Sequence, residues 1–241
     1  MSRDIAKSVR LRLEAKERLT TRLAADPSLA ATLTALRRWQ AERLATTYAD
    51  LRAESRYRPA LEFFLSDLYG THDFSPRDHD LHRAWRLMET TLPQPAMVVL
   101  ADALELELLT LELDANVAAK LRGSSVDDAS YAAAYRAADR RADRVRQIDL
   151  VVGLARRLSE VVRYAWIGSV LRLARAPAQA AGFAVLRSFL ERGFAAFADL
   201  DDASRFVRAI DERERLLMER LFAGDPNPFT TIETSAEVKA S

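Results

Sequence analysis

The sequence predicts an all-α protein, a multi-helix bundle of about eight helices, and three observations carry that expectation. Seven Gly and eight Pro in 241 residues are too little turn chemistry for a chain of short strands. Ala, Leu, Arg and Glu, which lose little side-chain freedom in a helix, are abundant, while β-branched and aromatic residues are sparse and scattered. Apolar residues return in steps of three and four rather than two. A hydrophobic content of 49% is enough for a continuous core. The expected organisation is a single helical domain over 1–224, with an N-terminal hairpin (1–52) packed on a bundle (57–224), and a flexible polar tail over 225–241.

The first helix is expected from about Ser2 to Ala25, with Ile5, Val9, Leu13, Leu19 and Leu23 on one side. Asp26-Pro27 stops it and caps the second, whose stripe is Leu29, Leu33, Leu36, Gln40, Leu44, Thr47 and Leu51. A third carries Tyr57, Leu61, Phe64, Leu65 and Leu68 and closes at Gly70, a residue suited to the position after a helix C-terminus. Ser75-Pro76-Arg77-Asp78 reads as an N-cap, a first-turn proline and an acid, so a fourth starts there. Pro93 and Pro95 open a fifth that runs to about Arg122 and is apolar on nearly every side from Ala96 to Leu113, which predicts a central position.

Gly123-Ser124-Ser125 is a turn, and Asp127 or Asp128 caps the next helix. From there to Arg175 no proline intervenes, so the span is either one rod or two helices bent near Gly153. Pro177 opens another helix with Phe183, Leu186, Phe189, Leu190, Phe194 and Phe197. Asp201-Asp202 opens the last, with Phe206, Ile210, Leu217 and Leu221.

Composition narrows the function classes. The net charge is +1, so no overall field drives the chain onto nucleic acid or an anionic membrane, and nucleic acid is not an expected partner. By segment the charge runs +4 over 1–50, −4 over 51–122, +4 over 123–176 and −3 over the remainder, a pattern of segments that complement one another. The absence of Cys removes disulfides, thiolate chemistry and Cys-ligated metals, and fits a reducing cytoplasm. No stretch reaches the roughly 18 uncharged residues of a spanning helix. No phosphate loop, nucleophile elbow or dinucleotide fingerprint is present, and no cofactor is expected.

The densest string is Phe63-Phe64-Leu65-Ser66-Asp67-Leu68-Tyr69-Gly70, followed by His72, Asp73, Phe74, Arg77 and Asp78. It resembles a family of uncharacterised bacterial proteins marked by a Phe-Phe-Leu-Glu-Glu-Leu-Tyr motif, with Ser66 and Asp67 standing where that motif has two Glu. Trp166-Ile167-Gly168 and Phe189-Leu190-Glu191-Arg192-Gly193-Phe194 are similar to further stretches of the same family. The resemblance implies no activity. Physically, the string sets aromatics and leucines on a short helix as a packing corner or a pocket wall, with Asp67, Asp73 and Asp78 able to pair Arg58, Arg77 or Arg83.

His72, His79 and His82 fall within eleven residues among Asp73, Asp78 and Asp80, a candidate metal set, although no His-Glu-x-x-His accompanies them. Asp102, Glu105 and Glu112 share one stripe of the fifth helix, with Glu107 and Asp114 on another. Asp102, Glu105 and Glu112 are the candidate catalytic residues, as paired carboxylates for acid/base work or for holding Mg²⁺. The competing reading is structural pairing with Arg136, Arg140, Arg144, Arg156, Arg157 or Arg163. Tyr131, Tyr135, Ala138, Ala142 and Val145 form a seam for a partner helix, in this chain or in a second copy. Asn227-Pro228-Phe229 reads either as a short docking peptide or, as the favoured expectation, as a segment that folds back with Phe229 on the core. The sequence therefore favours a non-catalytic binding or scaffold protein that engages a protein partner, a second copy or an apolar ligand through its bundle. The alternative is a helical enzyme using the acids of the fifth helix, with a metal at residues 72–82.

Overall fold

The computed structural model describes residues 2–68, 79–81, 83–85, 94–162, 184–198, 200 and 203–230. Every regular element among them is helical: α1 (Ser2–Ala24), α2 (Pro27–Thr47), α3 (Ala49–Ala53), α4 (Arg58–Phe63), a π-helical turn (Phe64–Leu68), α5 (Gln94–Leu121), α6 (Asp128–Ala138), α7 (Arg141–Val161), α8 (Ala184–Ala198) and α9 (Ala203–Ala223). The fold is all-α, as the periodicity requires. Among the described residues, no helix is long and apolar enough to cross a membrane.

The boundaries follow local chemistry. Asp26 caps α2 by accepting from the Leu29 N–H at 3.0 Å, with Pro27 supplying the preset first turn. The Leu29 N–H, ahead of the Arg122 guanidinium, holds the Asp26 carboxyl below the usual carboxylate range. Asp127 and Ser130 form a reciprocal capping box on α6. The span after Asp128 divides at Asp139, not near Gly153. Asp139 adopts the left-handed conformation (φ 48°) and α6 ends there, whereas Gly153 lies inside an unbroken α7. Asp tolerates that conformation because its short polar side chain bonds locally. A lone Gly in a helix interior is only a modest cost.

α5 is the axis of the molecule: α1, α2, α6 and α7 all pack on it, and α9 closes against α6 and α7. Two apolar clusters result. One joins Ala6, Val9 and Leu13 of α1 to Met97, Ala101 and Leu104 of α5, with Leu81, Ala84 and Trp85 completing it. The larger gathers the remaining helices around Leu36, Leu113, Val117, Leu121, Leu154 and Leu221. The tyrosine seam of α6 is filled from within the chain. Tyr131 lies against Trp39 and Phe229, and Tyr135 against Phe222, so Phe229 folds back on the core as its sequence context suggests.

The Phe63-Phe64 corner is a cluster of rings. Phe64, 5% exposed, meets Phe197 edge-on at 5.9 Å and Phe206 at 6.3 Å, while Phe63 meets Phe189 at 5.4 Å. Gly193 lets α8 approach this corner, since a β-carbon there would stand 2.9 Å from Cζ of Phe63. Phe64→Ala is therefore expected to lower unfolding free energy in urea by about 3 to 5 kcal/mol, through lost transfer energy and a residual cavity. Gly193→Ala is expected to be destabilising, because overpacking of about 1 to 3 kcal/mol against buried rings exceeds the gain of about 1 kcal/mol in helix propensity. A rise in its urea midpoint would show that the corner can relax.

Candidate functional site

The acids singled out on α5 are tied to cations, and mostly to ones outside the expected set. Asp102 pairs with Arg157 of α7. Glu105 stands between Arg12 of α1 and Arg146 of α7, the latter at 2.6 Å. Glu107 takes Lys16. Only Arg157 comes from the arginines nominated by sequence; α1 and α2 provide partners that no local pattern on α5 announces. Glu112 differs: it is half-buried, and its carboxylate forms no ion pair among the described residues. None of Asp102, Glu105 and Glu112 lines the central cavity described below. Burial raises the Asp102 pKa against the pull of Arg157.

Of the histidine segment, His79 is exposed and Asp80 buried, while His72 and His82 lie outside the described residues. Among the described residues, no three His, Asp or Glu side chains group closely enough to hold a metal ion. Phe63 and Phe64 form the corner, and Asp67 sits in the π-helical turn. Tyr69, Gly70, Asp73, Arg77 and Asp78 lie outside the described residues, as does Trp166-Ile167-Gly168. The Arg58 guanidinium donates to the carbonyls of Arg52 and Ala53 at the end of α3.

What the fold does bring together is a polar cavity inside the bundle, of about 90 Å³. Leu61, Phe64 and Leu65 form one wall, and Ile148, Val151, Ile210 and Leu217 another. Polar side chains enter from α2 (Gln40, Arg43), α5 (Asp114), α6 (Tyr131, Tyr135), α7 (Arg144, Gln147) and α9 (Glu214), with Tyr48 from the α2–α3 junction. Phe64 is thus both a core ring and a cavity wall, so the two readings of its motif meet in one residue.

Most of these polar groups satisfy one another. Arg43 grips Glu214 with both terminal nitrogens, at 2.7 and 3.2 Å, and the Tyr48 hydroxyl donates to the same carboxylate at 2.8 Å. Burial opposes the charge on Arg43, but the Glu214 carboxylate more than offsets it and the guanidinium stays charged. Burial also pushes the phenols of Tyr48 and Tyr135 well up, so both stay protonated donors. Asp114, 2% exposed, accepts from Gln40 Nε2 at 3.1 Å and lies 3.6 Å from Arg37 Nε.

Two donors fall outside that pairing: Arg43 Nε, which is buried without a hydrogen-bond partner, and part of the guanidinium of Arg144. Only 7% exposed, Arg144 donates Nη1 to Gln147 Oε1 at 2.9 Å, and Gln147 in turn donates to Thr110 Oγ1 at 2.8 Å. Its guanidinium lies 4.5 Å from the Tyr135 ring centroid. Nη2 is buried without a hydrogen-bond partner, and no carboxylate pairs with this arginine among the described residues. Sequence reasoning placed Arg144 among the partners of α5 and overlooked Arg43 and Glu214. The available signal was Gln40, a polar residue inside an apolar stripe, which marks where the second helix faces a polar interior.

Glu214→Gln is expected to cost about 3 kcal/mol, because it leaves Arg43 charged, buried and without its anion. Tyr48→Phe is expected to cost about 1 to 2 kcal/mol, the worth of one hydrogen bond to a charged acceptor. Chemical denaturation of the two variants checks the order, and equal losses would mean that the ion pair is not the dominant element of this network.

No curated protein and no solved structure matches the chain. A family match does cover most of it, over residues 20–228, which include the cavity's polar lining, the aromatic corner and the acids of α5. The chain belongs to the family described as a domain of unknown function, DUF8198.

Proposed function

We propose that this protein is a non-catalytic binding protein that holds a small molecule inside its helical bundle. The observation that carries this reading is the central cavity, where buried Arg144 has a donor without a hydrogen-bond partner and no paired carboxylate among the described residues. Burying such a group without a partner costs stability. Natural proteins tolerate that cost where a ligand supplies the missing contact. The polar lining moves the expected ligand away from the purely apolar molecule that the sequence suggested. The catalytic alternative has less behind it, because Asp102 and Glu105 are engaged by arginines.

Kinship with the Phe-Phe-Leu-Glu-Glu-Leu-Tyr proteins belongs to the same proposal: residues 63–65 of that motif form the corner and wall of the cavity. The cysteine-free composition suits the cytoplasm, and a second copy or a protein partner could join through the outer helix faces. The test is a ligand-observed NMR screen of neutral and charged fragments of up to about six non-hydrogen atoms, run against the native chain and against Val151→Trp, which fills the cavity. Saturation transfer to one or more fragments that disappears in the filled variant is the expected result. Absence of transfer to every fragment, or transfer that the filled variant retains, overturns the reading.

A further inference from the structure

Resting on that reading, we propose that the cavity is a site for a small monocarboxylate, of two or three carbons, whose carboxylate is received by the Arg144 guanidinium. Two cations, Arg43 and Arg144, and two anions, Asp114 and Glu214, line the cavity, but they are not paired one to one. Arg43 is matched by Glu214 and Arg37 by Asp114, which leaves Arg144 as the cation without an anion among the described residues. Its free Nη2 is held in place rather than loose, since Gln147 fixes Nη1, Thr110 fixes Gln147, and the Tyr135 ring lies against the guanidinium. A preoriented guanidinium edge is the geometry that recognises a carboxylate.

The rest of the cavity sets charge and size. Asp114 and Glu214 both line it, so a second negative charge on the ligand would meet carboxylates at close range, and a monoanion is favoured over a dianion such as phosphate. The hydroxyls of Tyr131 and Tyr135 make no hydrogen bond among the described residues and are available as further donors. An engineered cavity of about 150 Å³ takes benzene with its six non-hydrogen atoms. By that measure about 90 Å³ takes four or so, the size of acetate, with propionate at the upper limit. The apolar wall of Phe64, Val151 and Ile210 receives the methyl end.

The experiment measures thermal shift and one-dimensional NMR titration of the full chain with sodium acetate and sodium propionate against acetamide and propionamide, in a carboxylate-free buffer with ionic strength balanced by sodium chloride. Saturable binding of the acids, with the amides at least about tenfold weaker, is expected, as fits the loss of a charge-assisted contact. Arg144→Met should remove that discrimination and raise the melting temperature of the ligand-free protein, because an unpaired buried cation has been taken out. Arg144→Lys, which keeps the charge and loses the fork, should bind the acids more weakly than the native chain. The native comparison of acid with amide stands even if Arg144→Met does not fold. Equal binding of acids and amides overturns the carboxylate assignment while the binding function survives. Preference for inorganic phosphate, added as a further titrant, overturns the monoanion. A lowered melting temperature for Arg144→Met would show a structural arginine and overturn the proposal. Failure of every compound here together with failure of the fragment screen removes the binding function itself.

Discussion

Five carboxylates on a helix that the core surrounds are the constraint on which the rest of this structure depends. α5 is apolar enough to be central, yet Asp102, Glu105, Glu107, Glu112 and Asp114 travel with it into the bundle. A carboxylate carried from water into a packed interior loses solvation that only a cation or several donors can replace. The neighbours of α5 are therefore placed by charge as well as by fit: α1 brings Arg12 and Lys16, α2 brings Arg37 and Gln40, and α7 brings Arg146 and Arg157. The pairs with exposed members add little stability individually. Their effect is on register, because a helix that slides by one turn strands several charges at once.

The apolar packing and these pairs share one helix register. Leu33, Leu36 and Leu44 of α2 enter the core in the same register that delivers Gln40 to Asp114 and Arg43 to Glu214. At the other end of the cavity Phe64 joins the ring cluster of Phe197 and Phe206 and closes the wall. The Gly193 approach brings α8 onto the same corner. Apolar and polar contacts thus agree element by element, which is the consistency expected of a sequence that specifies one structure.

The break at Asp139 decides the chemistry of the cavity. With the chain turned there, α7 starts afresh at Arg141, and its first turns send Arg144 and Gln147 inward while Arg146 faces the flank of α5. Two arginines of one basic run, Arg146 and Arg144, thus acquire opposite roles, the first pairing at the surface and the second buried against Tyr135. A buried arginine without its anion makes such an interior less stable than an apolar core of equal volume.

How much of this was legible can be stated residue by residue. The helical fold, the central place of the fifth helix, the Asp26 and Asp127 caps and the return of Phe229 are written in the sequence, because propensity, capping and 3.6-residue periodicity act over a few residues and leave local patterns. The complementary segment charges are legible too, as a rule that acidic α5 must meet basic neighbours. Which cation meets which acid is not. Arg12 and Glu105 lie far apart in the chain, Arg43 and Glu214 farther still, and their encounter is set by how whole helices rotate and slide against one another. The left-handed turn at Asp139 belongs to the same class, because an Asp can either continue a helix or end it and only the packing on both sides selects. Sequence thus determined the helices and the signs of their charges. Tertiary packing alone decided that Arg144 would be the buried cation left over, because pairing is a property of three-dimensional neighbours and not of any one segment.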